Sequence, residues 1–225
     1  MITNISGANN KEKNMKNRSL VVFLVLVTAN NLLAQKFLNG SIVFKEGKVL
    51  KGLVEYPSNF KTTKIAFKEN ETAQEQEFPS EGIKTVSVKE SGQDFEFDRG
   101  TYYEELSFRG KVESKERWLV VLIRGTATLY TVAGKTVKIK NGKLSFTNRE
   151  VVTYYIKRAS EKVATDIGAD MAGITAGLDA DFRDRTSKYF QDYPELVKKI
   201  NAEKLKFSDI FSVVEEYNKW ASSKK

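Results

Sequence analysis

From Phe37 to Arg158 apolar and polar residues alternate mostly with a period of two, and turn residues break the pattern about every 8–12 positions, the signature of antiparallel β structure. Ser41–Phe44 and Val49–Tyr56 flank Glu46-Gly47, a hairpin signal. Lys64–Phe67, Gln74–Phe78 and Ile83–Val88 read as further strands, with Pro57 and Pro79 as stops. Asp94–Asp98 alternates cleanly and ends at Gly100; Tyr102–Phe108 follows, ended by Gly110. Trp118–Ile123 is apolar without interruption, as in a central strand buried on both faces. Ala127–Val132 pairs with it across Arg124-Gly125. Thr136–Ile139 and Lys143–Phe146 flank Asn141-Gly142, a strong hairpin dipeptide, and Val151–Ile156 closes the β region.

The pattern changes after Arg158. Residues 159–177 are rich in alanine and glycine and predict a flexible connector or a weak, closely packed helix. From about Asp179 the period becomes 3.6, with Leu178, Phe182, Tyr189 and Phe190 near one helical face. Pro194 opens a second helix that buries Leu196, Val197 and Ile200. A third, capped by Ser208, presents Ile210, Phe211, Val214 and Tyr217. None is long enough to be stable alone, so they must pack on each other or on the sheet. The expected class is α+β: mainly antiparallel β, as a sandwich, a curved meander or a partly open barrel, followed by a small C-terminal helical segment.

The N-terminus carries a different signal. Lys16 and Arg18 precede the apolar run Leu20–Val27, and Leu32-Leu33-Ala34-Gln35 follows. A basic region, a short apolar core and an alanine before a cut describe a secretory signal peptide. The run falls short of the roughly 20 apolar residues of a permanent span. Met15 reads as the natural start, with 1–14 an extension, and 15–35 as the signal, cleaved after Ala34 or Ala29. The mature chain then divides into a β domain, 36–158, a connector, 159–178, and a helical segment, 179–225. The expected location is the periplasm or the outer-membrane surface, with no transmembrane helix after cleavage.

Composition narrows the chemistry. The 225 residues include no histidine and no cysteine, and the formal net charge is +8. Disulfides, ordinary zinc sites, and Ser-His-Asp or Cys-His catalysis are excluded. Removing residues 1–35 takes away Lys11, Lys13, Lys16, Arg18 and Glu12 and leaves a mildly basic chain. Export argues against nucleic acid as a partner. No cofactor is expected.

At this point the chain resembles a group of secreted β-rich proteins common in Bacteroidetes-type bacteria. The resemblance rests on Gly40-Ser41-Ile42-Val43, then Gly52-Leu53-Val54-Glu55-Tyr56, then Lys64-Ile65-Ala66-Phe67-Lys68. It continues through Trp118–Tyr130, Tyr189–Leu196 and Val214–Asn218, so it spans nearly the whole mature chain. The group commonly has cysteine where Tyr193 and Trp220 stand here. If those cysteines pair, packing of the two aromatics replaces the bridge in this chain. The resemblance implies an exported β-rich fold with a helical tail and transfers no activity.

Asp94, Glu96 and Asp98 share one strand face, with Phe95 and Phe97 on the other. Three carboxylates in a row suit Ca²⁺ or a glycosidase pair, or form a solvated strand face. Their mutual repulsion calls for a neutralising cation, with Lys84, Lys89 and Arg99 the candidates. Glu104 and Glu105 point to opposite faces of a regular strand and cannot act together. Asp166-x-Gly168-x-Asp170 and Asp179-x-Asp181 lack the full calcium-loop pattern, and Ser58-x-x-Lys61 lacks its companion acylase motifs. Lys138, Lys140 and Lys143 surround the Asn141-Gly142 tip, with Lys135 nearby. Arg109, Lys111, Lys115 and Arg117 form a second basic group. Either can meet an anionic glycan or lipid, or keep an edge strand soluble. The adjacent pairs Tyr102-Tyr103 and Tyr154-Tyr155 must place one ring on each strand face. These features lead to a non-enzymatic binding or structural protein of the envelope, partnered by another envelope protein or a surface glycan. The alternatives are a carboxylate-dependent polysaccharide hydrolase, with Asp94, Glu96, Asp98, Glu104 or Glu105 as its acids, and an outer-membrane-associated β-barrel.

Overall fold

The structure, a computed structural model, describes residues 37–106, 110–132, 136–147, 151–171 and 178–224. The expected signal peptide and N-terminal extension lie outside the described residues.

The strands are β1 Leu38–Phe44, β2 Val49–Val54, β3 Lys64–Lys68, β4 Gln76–Pro79, β5 Ile83–Glu90, β6 Gln93–Leu106, β7 Gly110–Glu113, β8 Arg117–Ile123, β9 Ala127–Thr131, β10 Thr136–Lys140, β11 Lys143–Thr147, β12 Val151–Arg158 and β13 Val163–Met171. The helices are α1 Leu178–Tyr189, α2 Pro194–Asn201 and α3 Ile210–Ser222, with short 3₁₀ turns at Ser80–Gly82 and Phe207–Asp209. The class is α+β with a mainly antiparallel sheet. Eleven strands form one sheet in the order β13-β12-β9-β8-β6-β5-β1-β2-β3-β4, with β7 on β6, while β10 and β11 form a separate hairpin. β13 also pairs with β6, in parallel, at Val163↔Thr101 and Ala164↔Tyr102. The meander therefore closes β6, β8, β9, β12 and β13 into a five-stranded ring.

Several expectations change. Val163–Met171, read as part of a connector or weak helix, is strand β13. Its alanines and glycines reflect close packing: a Cβ on Gly168 would lie 2.7 Å from the Phe207 ring. Gly100 does not end a strand, because β6 runs through it over 14 residues. Ser208 does not cap α3; instead the Asp209 carboxylate accepts from the Lys206 N–H at 2.9 Å.

Three apolar clusters hold the fold. The first joins Ile42, Phe44, Val54, Ile65, Phe67, Ile83, Val86, Val88, Phe95, Phe97, Trp118 and Val120, with Ile139 and Leu144 of the β10–β11 hairpin against it. The second lies inside the ring and comprises Tyr102, Leu119, Tyr130, Tyr155 and Ala164. The third places Leu129, Ile156 and Ile167 of the ring's outer face against Phe182, Phe190, Leu196, Ile200, Ile210, Val213, Val214 and Tyr217 of the helices. Trp118, Leu119 and Val120 are each about 1 % exposed and divide between the first two clusters, which explains the unbroken apolar run. Phe211, expected in the helical seam, is 43 % exposed, and Val213 takes its place.

Gly40 and Gly52 are direct cross-strand partners in β1–β2. A Cβ on Gly40 would lie 2.1 Å from the Ser87 carbonyl oxygen, and one on Gly52 2.4 Å from that of Lys68. The two glycines let four neighbouring backbones, β5, β1, β2 and β3, approach more closely than any side chain allows.

Candidate functional site

The three carboxylates of β6 separate in the structure. Asp94 is exposed and lies 3.6 Å from Lys89. Glu96 and Asp98 instead converge on Arg124, in the turn between β8 and β9. Arg124 Nε and Nη2 donate to Glu96 Oε2 at 2.8 and 2.6 Å. Its Nη1 and Nη2 donate to Asp98 Oδ2 and Oδ1 at 2.6 and 3.0 Å. Two further donors reach Asp98: Thr85 Oγ1 at 2.8 Å and Tyr130 Oη at 2.9 Å. Register builds this site. Thr85 faces Asp98 across β5–β6, and a shift between Val121 and Ile123 of β8 alters the pairing just before the Arg124 turn.

The electrostatics follow from this geometry. Burial disfavours charge on Asp98, whose side chain is 13 % exposed, but the hydrogen bonds and charge of Arg124, helped by Thr85 and Tyr130, prevail and hold the carboxyl below its ordinary range. Burial and then the charge of Asp98 push the Tyr130 hydroxyl upward. Arg124 loses to burial and gains more from Asp98 and Glu96, so its pKa rises. Asp98 is therefore an ionised acceptor with both oxygens engaged, not a proton donor near neutrality.

Of the expected neutralising cations, Lys89 serves Asp94 alone. Arg99 points to the opposite face of β6, over the Trp118 ring at 5.3 Å. Arg124 was not singled out in the sequence, where it looks like an ordinary turn residue after an apolar run. Only the β6–β8–β9 order brings it over β6.

The basic hairpin docks by its backbone on the end of β5. Asn141 N–H donates to Glu90 Oε1 at 3.0 Å, and Gly142 N–H donates to Glu90 Oε2. These bonds, Gly142's foremost against some desolvation, hold the Glu90 carboxyl below its ordinary range. Lys138 and Lys143 are exposed. The side chain of Lys140, like those of Glu104, Glu105 and Lys111, lies outside the described residues, as do Arg109 and Lys135. Glu90 thus anchors the hairpin tip to the end of β5, and the lysines are not drawn onto the carboxylates of β6.

Elsewhere Asp166 pairs with Arg185 and accepts from Gly168 N–H at 2.8 Å, and Asp179 accepts from Phe207 N–H at 3.1 Å. Ser58 and Lys61 lie in the segment between β2 and β3. Among the described residues no group of three or more acidic side chains is placed to hold a metal ion, and no helix is long and apolar enough to cross a membrane. Tyr155 points into the ring while Tyr154 packs against Phe207 and Phe211; Tyr102 is buried, and Tyr103 is 38 % exposed. Tyr193 and Trp220 stack with ring centroids 4.3 Å apart and planes 5° from parallel.

The seam between ring and helices is held by Arg158. Its guanidinium bonds Tyr217 Oη at 2.9 Å, Glu161 Oε1 at 3.1 Å, and Asp192 Oδ1 and the Tyr189 carbonyl, both at 2.9 Å. It also lies 4.3 Å from the Tyr189 ring centroid.

Compared with protein families, with curated proteins and with solved structures, the chain matches none.

Proposed function

We propose that this protein is exported to the cell envelope and acts there without catalysis, as a binding or structural component partnered by another envelope protein or a surface glycan. The single observation that supports a non-catalytic role is the commitment of Glu96 and Asp98 to Arg124. A glycosidase needs one carboxyl poised as an acid and a second free to act as base or nucleophile. A carboxylate held below its ordinary range by a guanidinium, a tyrosine and a threonine is poorly suited to the first task. The apolar outer face of the ring, covered by helices, weighs against the membrane-barrel alternative, since lipid would need that face. Export is supported by the Lys16, Arg18 and Leu20–Val27 pattern. Kinship with the secreted Bacteroidetes-type group belongs to the same proposal. The facing glycines Gly40 and Gly52 and the stacked Tyr193 and Trp220 lend it support.

The test is in-cell crosslinking of the tagged protein, with fractionation and mass spectrometry of the captured species. The expected result is a processed N-terminus, recovery from the envelope fraction, and one reproducible envelope partner. Recovery from the cytoplasm with an intact N-terminus overturns the reading. So does a polysaccharide hydrolase activity abolished by Glu96→Gln or Asp98→Asn.

A further inference from the structure

The described arginines differ in how their donors are used. Arg124 grips two carboxylates, and Arg158 bonds four acceptors on helices and in turns. Arg99 and Arg117 do neither. Arg99, facing Trp118 across β6–β8, has a side chain only 7 % exposed. Its nearest carboxylate oxygen, Glu116 Oε2, is 3.8 Å away, beyond hydrogen-bond length. The other oxygen of Glu116 is held by Lys45 Nζ at 2.7 Å. Arg117 lies over the Phe60 ring at 5.9 Å, and the hydrogen bond of its guanidinium, 3.1 Å long, goes to the Glu116 carbonyl. The Nε atoms of both arginines are buried with no acceptor among the described residues. Burying charged donors without acceptors is costly, and two neighbouring guanidinium groups add mutual repulsion. Arg99's pKa is lowered accordingly, first by burial and further by Arg117, against the pull of Glu116 and Glu81.

The surroundings are built rather than incidental. The Trp118 indole donates to the Thr62 carbonyl at 3.0 Å, and Trp118 N–H donates to the Phe60 carbonyl at 3.1 Å. These bonds fix the segment between β2 and β3 against the start of β8. Lys61 stands over Phe60 at 5.3 Å. Four cations (Lys45, Lys61, Arg99 and Arg117) thus meet at one end of the first apolar cluster, with Glu116 and Glu81 as the opposing charges.

We propose that Arg99 and Arg117 form a binding site for an oxyanion, a carboxylate, phosphate or sulfate group that is free or carried on a larger molecule. Planar guanidinium forks match the paired oxygens of such groups, and an incoming oxyanion supplies the acceptors that Glu116 does not. The inference is independent of whether the chain is exported.

The test is isothermal titration and thermal unfolding of the whole protein with sodium phosphate, sodium sulfate and sodium galacturonate. Sodium chloride at matched ionic strength is the reference, and Arg99→Gln and Arg117→Gln are compared with the parent. The expected result is saturable one-site binding to the parent and at least tenfold weaker binding to each variant. At a hundredfold excess over the parent's Kd the parent midpoint should rise by about 5–10 °C, about 3–5 °C more than that of a variant binding tenfold more weakly. If Arg99→Gln does not fold, Arg117→Gln decides, since Arg117 is only partly buried. Binding of galacturonate alone assigns the site to a uronate-bearing glycan, and binding of phosphate or sulfate assigns it to those ions or their esters. Equal responses of parent and Arg117→Gln, or no saturable binding of any probe, overturn the proposal.

Discussion

Asp98 shows how far a single position departs from its sequence neighbours. Asp94, Glu96 and Asp98 look equivalent as alternate residues of one strand, yet Asp94 is exposed and Asp98 accepts from three residues. Removing Arg124 should leave a half-buried carboxylate unpaired. We expect Arg124→Gln to cost about 1–2 kcal/mol, at the low end because Arg124 is nearly half exposed and water screens the pair. Asp98 has a folded pKa below its unfolded value near 3.9, so its contribution is full above about pH 4 and is lost as pH falls through the folded pKa. Urea midpoints should therefore separate the parent from Asp98→Asn at pH 7, and the gap should narrow as pH falls from about 4 through the folded pKa. A gap that stays constant as pH is lowered would show that the charge is not what stabilises. The alternation that exposed this acidic face was legible in the sequence. Its cation was not, because Arg124 is 26 residues away and arrives only through strand order.

At the level of elements, the union of helices and sheet depends on side chains that imitate backbone. Asn218 of α3 accepts from Ala127 N–H at 2.8 Å and donates to the Ala127 carbonyl at 2.9 Å, as a neighbouring strand would. Gly125 makes room: a Cβ there would lie 2.3 Å from Asn218 Nδ2. Asn218→Ala should cost about 2–3 kcal/mol and speed hydrogen exchange at the Ala127 amide. Gly125→Ala should destabilise the parent but cost much less in the Asn218→Ala background, because its clash is with the removed amide. Strictly additive midpoints in the double variant would sink this account. The periodicity located the three helices well, and Pro194 stands at the first turn of α2 as its fixed backbone angle favours. β13 was missed because its small residues carry no alternation. Smallness there serves close packing against Phe207 and Phe182, which local sequence does not report.

The described molecule from Leu38 onward is one compact unit, and its clusters share strands. β8 contributes Trp118 and Val120 to the first cluster and Leu119 to the ring interior, while Leu122 borders both the first and the helical clusters. Unfolding should therefore be cooperative. The two tryptophans report on different ends, Trp118 in the first cluster and Trp220 between Tyr193 and Tyr217. In Trp118→Phe and Trp220→Phe, the remaining tryptophan's fluorescence curve in urea should superpose on the circular dichroism curve of the same variant. Displaced curves would mean that ring and helical seam unfold apart from the β1–β5 region.

The sequence by itself determined the α+β class, most strand and helix positions, the hairpin turns, and the exclusion of imidazole and thiol chemistry. These are local properties, set by periodicity, turn residues and composition. Tertiary structure alone decided that β13 closes onto β6, that Arg124 rather than a nearer lysine neutralises Glu96 and Asp98, and that the Nε atoms of Arg99 and Arg117 are buried with no acceptor among the described residues. Each of these depends on which strands become neighbours and in what register. That choice is made by the burial of the whole apolar surface at once, so no short stretch of sequence contains it.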